Sequence, residues 1–170
     1  MSAVAGPLAA MAGLLALGGA LKVRRPGPTV NALRAAGLPA GDVVVRLGAA
    51  AELVVGVGTL VFHGPVFPAL LGASFAAFTG FVAVALARHT PLDSCGCFGE
   101  PDTPPTVLHL VVTGAAALVG VGAAATGTSV PETFADQPWG GVPLALLAGV
   151  IAYLSYLAVA VLPRSKAAHS

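Results

Sequence analysis

Two cysteines carry the clearest chemistry in the sequence. Cys95 and Cys97 are its only cysteines, and one glycine, Gly96, separates them. A disulfide between them would close a three-residue loop, so it would remove little chain entropy and would tend to be strained. A strained, accessible disulfide exchanges readily with other thiols. The spacing therefore favours a redox-active dithiol over a structural crosslink.

The residues around the pair give it a defined path outside a helix. Gly96 lets the two side chains turn toward each other, and Gly99 and three nearby prolines disfavour helix formation. The acidic residues of this segment disfavour the thiolate form of the cysteines, and Arg46 or Arg88 could offset them. The prolines are Pro101, Pro104 and Pro105, and the acidic residues are Asp93, Glu100 and Asp102.

The same sulfurs could instead bind a soft metal ion, since thiolates are good ligands for Cu(I) and Zn(II). His89 lies six residues before Cys95, and His109 lies twelve residues after Cys97. Together they would form a Cys2His2 set, although this spacing matches no standard zinc pattern. His109 by itself would be a polar contact at the start of a helix. A dithiol needs no cofactor, and a soft metal ion or a quinone stays compatible with the sequence.

The composition indicates a membrane protein. Of the 170 residues, 56% are hydrophobic and 9% are charged, and the mean hydropathy is +0.90. A soluble domain carries roughly 25% charged residues, so this chain cannot cover a surface that faces water. The formal net charge of +1 excludes a broad basic surface for nucleic acid. No phosphate-binding loop, nucleophile elbow or HExxH motif supports a nucleotide-binding or hydrolase function.

Five apolar runs are long enough to cross a bilayer, which takes about 20 residues of helix. The sequence therefore predicts an all-α, polytopic membrane helical bundle. Between the first two runs, Thr29 could cap a short helix after the Pro28 bend, or the segment could be an ordinary solvated connector. The runs extend approximately over residues 4–21, 43–62, 69–88, 107–126 and 143–162.

The basic residues predict the orientation of the bundle. With alternating spans, all eight fall on one side of the membrane or at helix ends that open onto it. Cytoplasmic loops are enriched in lysine and arginine. We therefore expect the N-terminus outside, and the cysteine segment and the C-terminus in the cytoplasm. The eight residues are Lys22, Arg24, Arg25, Arg34, Arg46, Arg88, Arg164 and Lys166.

A carboxylate, Glu52, lies about nine residues into the second run, near the bilayer centre. An ionisable group at that depth costs at least a few kcal/mol and is a functional candidate. Arg46 is six residues earlier and does not share its helix face. Glu52 would then either make one hydrogen bond between helices or handle protons. The expected partners are hydroxyl groups of other helices: Thr79, Thr113, Tyr153 or Tyr156.

These features resemble a known family. The sequence Cys95-Gly96-Cys97-Phe98-Gly99 is the specific part, and a Pro-rich run and His109 follow it. Leu21-Lys22, the Arg-Pro-Gly-Pro bend at 25–28 and a run that begins at Glu52 precede it. Over about its first 125 residues the chain resembles the methylamine-utilisation MauE proteins, within a broader DoxX-like set of four-helix membrane proteins.

The resemblance implies a four-helix core over residues 1–126, with the cysteine loop at 89–106. An outer loop, a fifth transmembrane helix and a short tail would make up residues 127–170. It also implies a redox-associated membrane protein that exchanges thiol and disulfide equivalents, beside a thioredoxin-like partner. Cys95 and Cys97 would be the redox pair and Glu52 the intramembrane acid. The supporting residues would be Gly96, Phe98, Gly99, Arg46 and His109.

Two matters stay open at the level of sequence. Thiol–disulfide oxidoreductase activity competes with soft-metal binding or transport, and with a structural subunit whose cysteines are incidental. The charge rule also places the cysteines in the cytoplasm, whereas disulfide work on exported proteins needs an outward route. The thiols would then take electrons from cytosolic thioredoxin, or the loop would open outward in a second state.

Overall fold

The described part of the protein consists of helices and short connections. The computed structural model describes residues 4–88 and 105–157. Four helices are 20 to 22 residues long and apolar enough to cross a membrane, which confirms the predicted all-α membrane bundle. The helices are α1 (Ala5–Arg24), α2 (Gly27–Ala35), α3 (Asp42–Val61), α4 (Val66–Ala87), α5 (Val107–Thr126), α6 (Val130–Ala135) and α7 (Val142–Tyr156), and a short 3-10 turn (Pro138–Gly141) precedes α7.

The spanning helices follow the apolar runs closely, with one difference that changes the position of Lys22. The first run was predicted to end at Leu21, whereas α1 continues to Arg24, so Lys22 lies inside the helix. The described part of α7 is 15 residues long. The predicted remainder of the fifth span lies outside the described residues.

The short helix α2 is present, but its predicted cap is wrong. The helix begins at Gly27 with Pro26 at the N-cap position, so Thr29 lies within the first turn. Pro28 suits this turn because proline has no backbone N–H to leave unsatisfied and its φ is already close to helical. The Arg34 side chain then donates a hydrogen bond from Nε to the Ala40 carbonyl, at 2.8 Å.

Small residues bring α1 against α3. A Cβ atom on Gly56 would lie 2.6 Å from both the Ala12 carbonyl oxygen and the Ala16 nitrogen. A Cβ on Gly19 would lie 2.6 Å from the Ala49 carbonyl oxygen. Glycine is therefore needed at both positions, because the facing backbone has no side chain that could move aside. The two helices are antiparallel, with Gly19 beside the middle of α3 and Gly56 beside the middle of α1.

The pair α4 and α5 is built in the same way. A Cβ on Gly120 would lie 2.5 Å from the Gly72 nitrogen. α1 is the most buried spanning helix, with 61% of its most apolar stretch inside the protein against 28% for each of the other three. Its side chains Leu8, Ala12 and Leu15 form the core together with residues of α4, α5 and α7.

This arrangement places four helix ends on one side of the bundle. α3 and α4 are joined by a tight turn, so α4 runs in the same direction as α1. The ends of α1 and α4 and the starts of α3 and α5 therefore share one side. Arg88 and Pro105, which flank the segment that carries the cysteines, both lie there.

Replacing Gly56 with alanine tests the contact between α1 and α3. We expect Gly56→Ala to lower the free energy of unfolding by about 1–3 kcal/mol, because its methyl group would overlap the backbone of α1. Gly48→Ala on the same helix is the matched control. A Cβ there meets nothing within 4 Å, and alanine favours helix by about 1 kcal/mol. Thermal unfolding in detergent measures both, and equal midpoints would contradict the close approach.

Candidate functional site

An ion pair joins α1 to α3 inside the bundle. The Nζ atom of Lys22 lies 2.5 Å from Oε2 of Glu52. Lys22 is 3% exposed, and the Glu52 side chain is 16% exposed. Glu52 is the eleventh of the twenty residues of α3, so the carboxylate lies at the middle of the span, as the sequence predicted. Charges in this position are costly unless they are paired.

The direction of the Lys22 side chain is unusual. Lysines near the end of a membrane helix normally extend their ammonium group outward to water. Lys22 instead reaches inward, although Arg24 and the end of α1 are only two residues away. A Cβ on Gly19 would lie 3.2 Å from the Glu52 Cβ, so the carboxylate is level with a position three residues before Lys22. The absence of a side chain at Gly19 puts Glu52 within reach of the lysine.

A third helix contacts the lysine. The Lys22 ammonium lies 4.6 Å from the centre of the Phe78 ring of α4, which is a cation–π contact. Phe75, one turn earlier, packs edge-on against Phe78 with their ring centres 6.0 Å apart. The charge of Lys22 is therefore held between a carboxylate on α3 and an aromatic face on α4.

A small cavity of about 40 Å³ adjoins the ion pair. Its walls are mostly apolar and include Met11, Leu14, Leu15, Phe75, Phe78 and Val112. Its polar contributions come from Lys22, Glu52, Thr113 and Ser155. Residues of five helices, α1, α3, α4, α5 and α7, thus line this one cavity.

Two of the four hydroxyl groups predicted to bind Glu52, those of Thr79 and Thr113, are used elsewhere. Thr113 Oγ1 lies 2.8 Å from the His109 carbonyl oxygen, and Thr79 Oγ1 lies 2.8 Å from the Phe75 carbonyl oxygen. The two hydroxyl oxygens are 3.0 Å apart, so they link α4 to α5. Tyr153 is 61% exposed. The prediction that Thr79 or Thr113 pairs with Glu52 is wrong, because a lysine with full charge takes the carboxylate.

His109 makes the polar contact expected at the start of α5. Its imidazole is fully buried. The Thr106 backbone N–H donates to Nδ1 at 3.3 Å, and the Thr106 hydroxyl oxygen lies 2.9 Å from the same atom. The two residues form a capping box, with histidine in the place of the usual Glu or Gln. Because Nδ1 accepts, the ring proton is on Nε2. That atom is buried without a hydrogen-bond partner in the described part of the chain.

The other predicted site residues fall into two groups. Arg46 is exposed on the outer face of α3 and does not contact Glu52, as its helix position predicted. Cys95, Gly96, Cys97, Phe98, Gly99 and His89 lie outside the described residues. The structure brings Glu52 to Lys22, and it brings neither Arg46 nor His109 to the walls of the cavity.

Lys22 is the partner of Glu52 that the sequence analysis does not identify, because Lys22 is counted there among the surface charges. A signal for it was present. Leu8, Ala12, Leu15, Gly19 and Lys22 recur at spacings of three and four, which places them on one helix face. All five are buried. A lysine on the most apolar face of a span needs an anionic partner, and Glu52 is the acid nearest the middle of a span.

Comparison with known families gives a match over most of the chain. The family profile described as methylamine utilisation protein MauE matches residues 2–129. The matched part contains α1 to α5, including Lys22 and Glu52, and α7 lies beyond it. No curated protein and no solved structure matches the chain significantly.

A double-mutant cycle tests the ion pair. We expect Lys22→Leu and Glu52→Leu each to lower the free energy of unfolding by about 3 kcal/mol, because each leaves one buried charge unpaired. The double variant should lose much less than the sum, since it leaves no charge behind. Arg46→Leu, at an exposed position on α3, should change the free energy of unfolding by less than about 0.5 kcal/mol. Denaturant unfolding in detergent gives these values, and simple additivity of the two single variants would refute the coupling.

Proposed function

Because the chain belongs to the MauE family of methylamine utilisation proteins and is a multi-pass membrane protein, we propose that it exchanges thiol and disulfide equivalents through Cys95 and Cys97. The observation that carries this proposal is the Cys95-Gly96-Cys97 sequence in the segment between α4 and α5. This spacing suits a dithiol that opens and closes rather than one that holds a fold together.

The two helices that flank the cysteine segment, α4 and α5, are held together by several contacts. α4 and α5 are in backbone contact at Gly72 and Gly120, and the Thr79 and Thr113 hydroxyl groups link them nearer the cysteine end. The capping box at Thr106 and His109 fixes the start of α5. These contacts support a dithiol that one face of the membrane presents to a soluble partner.

The exchange proceeds in two steps that conserve atoms and electrons. One cysteine thiolate attacks a sulfur of the partner's disulfide, which forms a mixed disulfide and releases the partner's other sulfur as a thiolate. The second cysteine thiolate then attacks this protein's own sulfur in the mixed disulfide. The Cys95–Cys97 disulfide forms, and the partner's remaining thiolate leaves. The partner gains two electrons from the cysteine pair, and the two cysteine protons balance the two thiolates released.

A thioredoxin-like protein is the partner that suits this chemistry, since it carries an exchangeable dithiol of its own. In the reverse direction, the same steps let a reduced partner restore the Cys95 and Cys97 thiols.

The charge pattern supports a cytoplasmic position for the cysteines. Lys22 is buried against Glu52, so it no longer counts as a surface charge. The other basic residues in the described part of the chain are exposed and lie on the side where α1 and α4 end. They are Arg24, Arg25, Arg34, Arg46 and Arg88.

Trapping tests the exchange. One of the two single variants, Cys95→Ser or Cys97→Ser, lacks the cysteine that resolves the mixed disulfide. Its resolving step is blocked, because the serine hydroxyl cannot attack the mixed disulfide. We expect that variant to accumulate a covalent complex with a thioredoxin-like protein. A reductant-sensitive band on gels, identified by mass spectrometry, measures it.

The double-serine variant is the control and should trap nothing. The exchange proposal fails if neither single variant traps a partner. It also fails if wild-type protein purified under reducing conditions carries stoichiometric metal that the double-serine variant loses.

Labelling of intact cells tests the orientation. We expect a membrane-impermeant maleimide to leave Cys95 and Cys97 unmodified until the membrane is permeabilised. Two matched controls in the double-serine background bracket the result. Asp136→Cys is exposed beside α6 and should label from outside, whereas Asn31→Cys is exposed on α2 and should be protected. Labelling of Cys95 or Cys97 in intact cells would reverse the assigned topology.

A further inference from the structure

The cavity beside Lys22 and Glu52 is large enough for bound water, and a few polar groups interrupt its mostly apolar wall. A water molecule needs roughly 10–15 Å³ of such space and two to four hydrogen-bonding partners. The cavity measures about 40 Å³, and its polar wall residues are Lys22, Glu52, Ser155 and Thr113. It therefore has room for roughly two or three water molecules. The Thr113 hydroxyl already donates to the His109 carbonyl, so Lys22, Glu52 and Ser155 are the main partners for water.

The ion pair leaves hydrogen-bonding capacity for this water. An ammonium group carries three protons. The Lys22 ammonium contacts Glu52 on one side and the Phe78 ring on another. The carboxylate of Glu52 can accept about four hydrogen bonds, and its Oε2, although in ion-pair contact with Lys22, has no hydrogen-bond partner among the described residues. Water in the cavity would supply the remaining hydrogen bonds of the Lys22 ammonium and the Glu52 carboxylate.

Packing alone gives little reason for an ion pair at this position. Two apolar side chains of similar size commonly stabilise a buried site as well as a lysine and a glutamate do. Elsewhere the α1–α3 contact is made by small residues such as Ala12, Ala16 and Gly56. What the charged pair adds, and leucines would not, is the ability to bind and release a proton.

We propose that Lys22, Glu52 and the cavity form a hydrated proton-binding site within the membrane. A hydronium ion in the cavity transfers its proton to the Glu52 carboxylate, so that an O–H bond forms on Glu52 and water is left behind. Lys22 keeps its charge but loses its counter-ion. Its ammonium group then turns outward to the nearby end of α1, where water solvates it. This site works without the cysteines and does not depend on the thiol exchange.

Among the described residues, the other titratable groups of the neighbouring helices do not line the cavity. Within the described residues, α4 contains no titratable side chain, and the only one on α5 is His109, which caps that helix. Asp42 and Arg46 of α3 and Arg24 of α1 are exposed. The two tyrosines of α7, Tyr153 and Tyr156, flank the cavity residue Ser155. Lys22 and Glu52 are the charged groups that line the cavity.

Hydroxyl-radical footprinting of the protein in nanodiscs tests whether water is present. Radicals formed from bound water oxidise adjacent side chains, so Met11 and Phe78 should be oxidised although Met11 is only 7% exposed. We expect at least fivefold faster oxidation of both in wild type than in the Lys22→Leu/Glu52→Leu variant. Trp139, which is 87% exposed, normalises the dose. Equal rates in the two proteins would show a dry cavity and overturn the proposal.

Carbodiimide labelling tests proton binding. A hydrophobic carbodiimide modifies protonated carboxyl groups, so modification of Glu52, measured by mass spectrometry, should increase as the pH falls. We expect at least a tenfold faster reaction in Lys22→Leu, and none at this position in Glu52→Gln. Glu132 is 62% exposed and should respond to pH alike in wild type and Lys22→Leu. Should Lys22→Leu fail to fold, the wild-type pH series still decides, because an unreactive Glu52 at every pH would refute the site.

Discussion

The contact between α1 and α3 is the constraint on which the interior depends. At Gly19 and Gly56 the two backbones are so close that a Cβ atom on either glycine would overlap the facing main chain. This approach puts Glu52 beside α1, where the Lys22 ammonium can reach it. With larger residues at the glycines, the helices would separate, and a carboxylate at mid-span would face lipid or an apolar surface. The charged pair is thus a consequence of small residues on its two helices.

Most other polar groups in the described helices are satisfied locally, which makes the ion pair exceptional. Thr59 and Ser74 donate to carbonyl oxygens four residues earlier on their own helices. The Thr79 and Thr113 hydroxyl groups contact each other between α4 and α5. Such pairing is required where no bulk water is present. Lys22 and Glu52 instead form an ion pair between two helices. The pair borders a cavity that residues of five helices line.

The two proposed sites involve different parts of the chain. The only two cysteines of the sequence lie in the segment between α4 and α5. Within the bundle, the ion pair links α1 and α3, and its lysine contacts the Phe78 ring of α4. Membership of the MauE family covers both regions, since the match extends over residues 2–129. Cys95, Cys97, Lys22 and Glu52 thus all lie within the part of the chain that the family profile matches.

The sequence alone determined the spanning helices, because the length of an apolar run is set by bilayer thickness and needs no knowledge of neighbouring helices. It also determined the depth of Glu52 and the family. Only the tertiary structure decided the partner of that carboxylate. The sequence suggested hydroxyl groups such as Thr79, whereas helix rotation and the space left at Gly19 select Lys22. The extension of α1 to Arg24 likewise changed Lys22 from a surface charge into a buried one. Pairing across helices depends on how closely their backbones approach, and that distance is a property of two surfaces together.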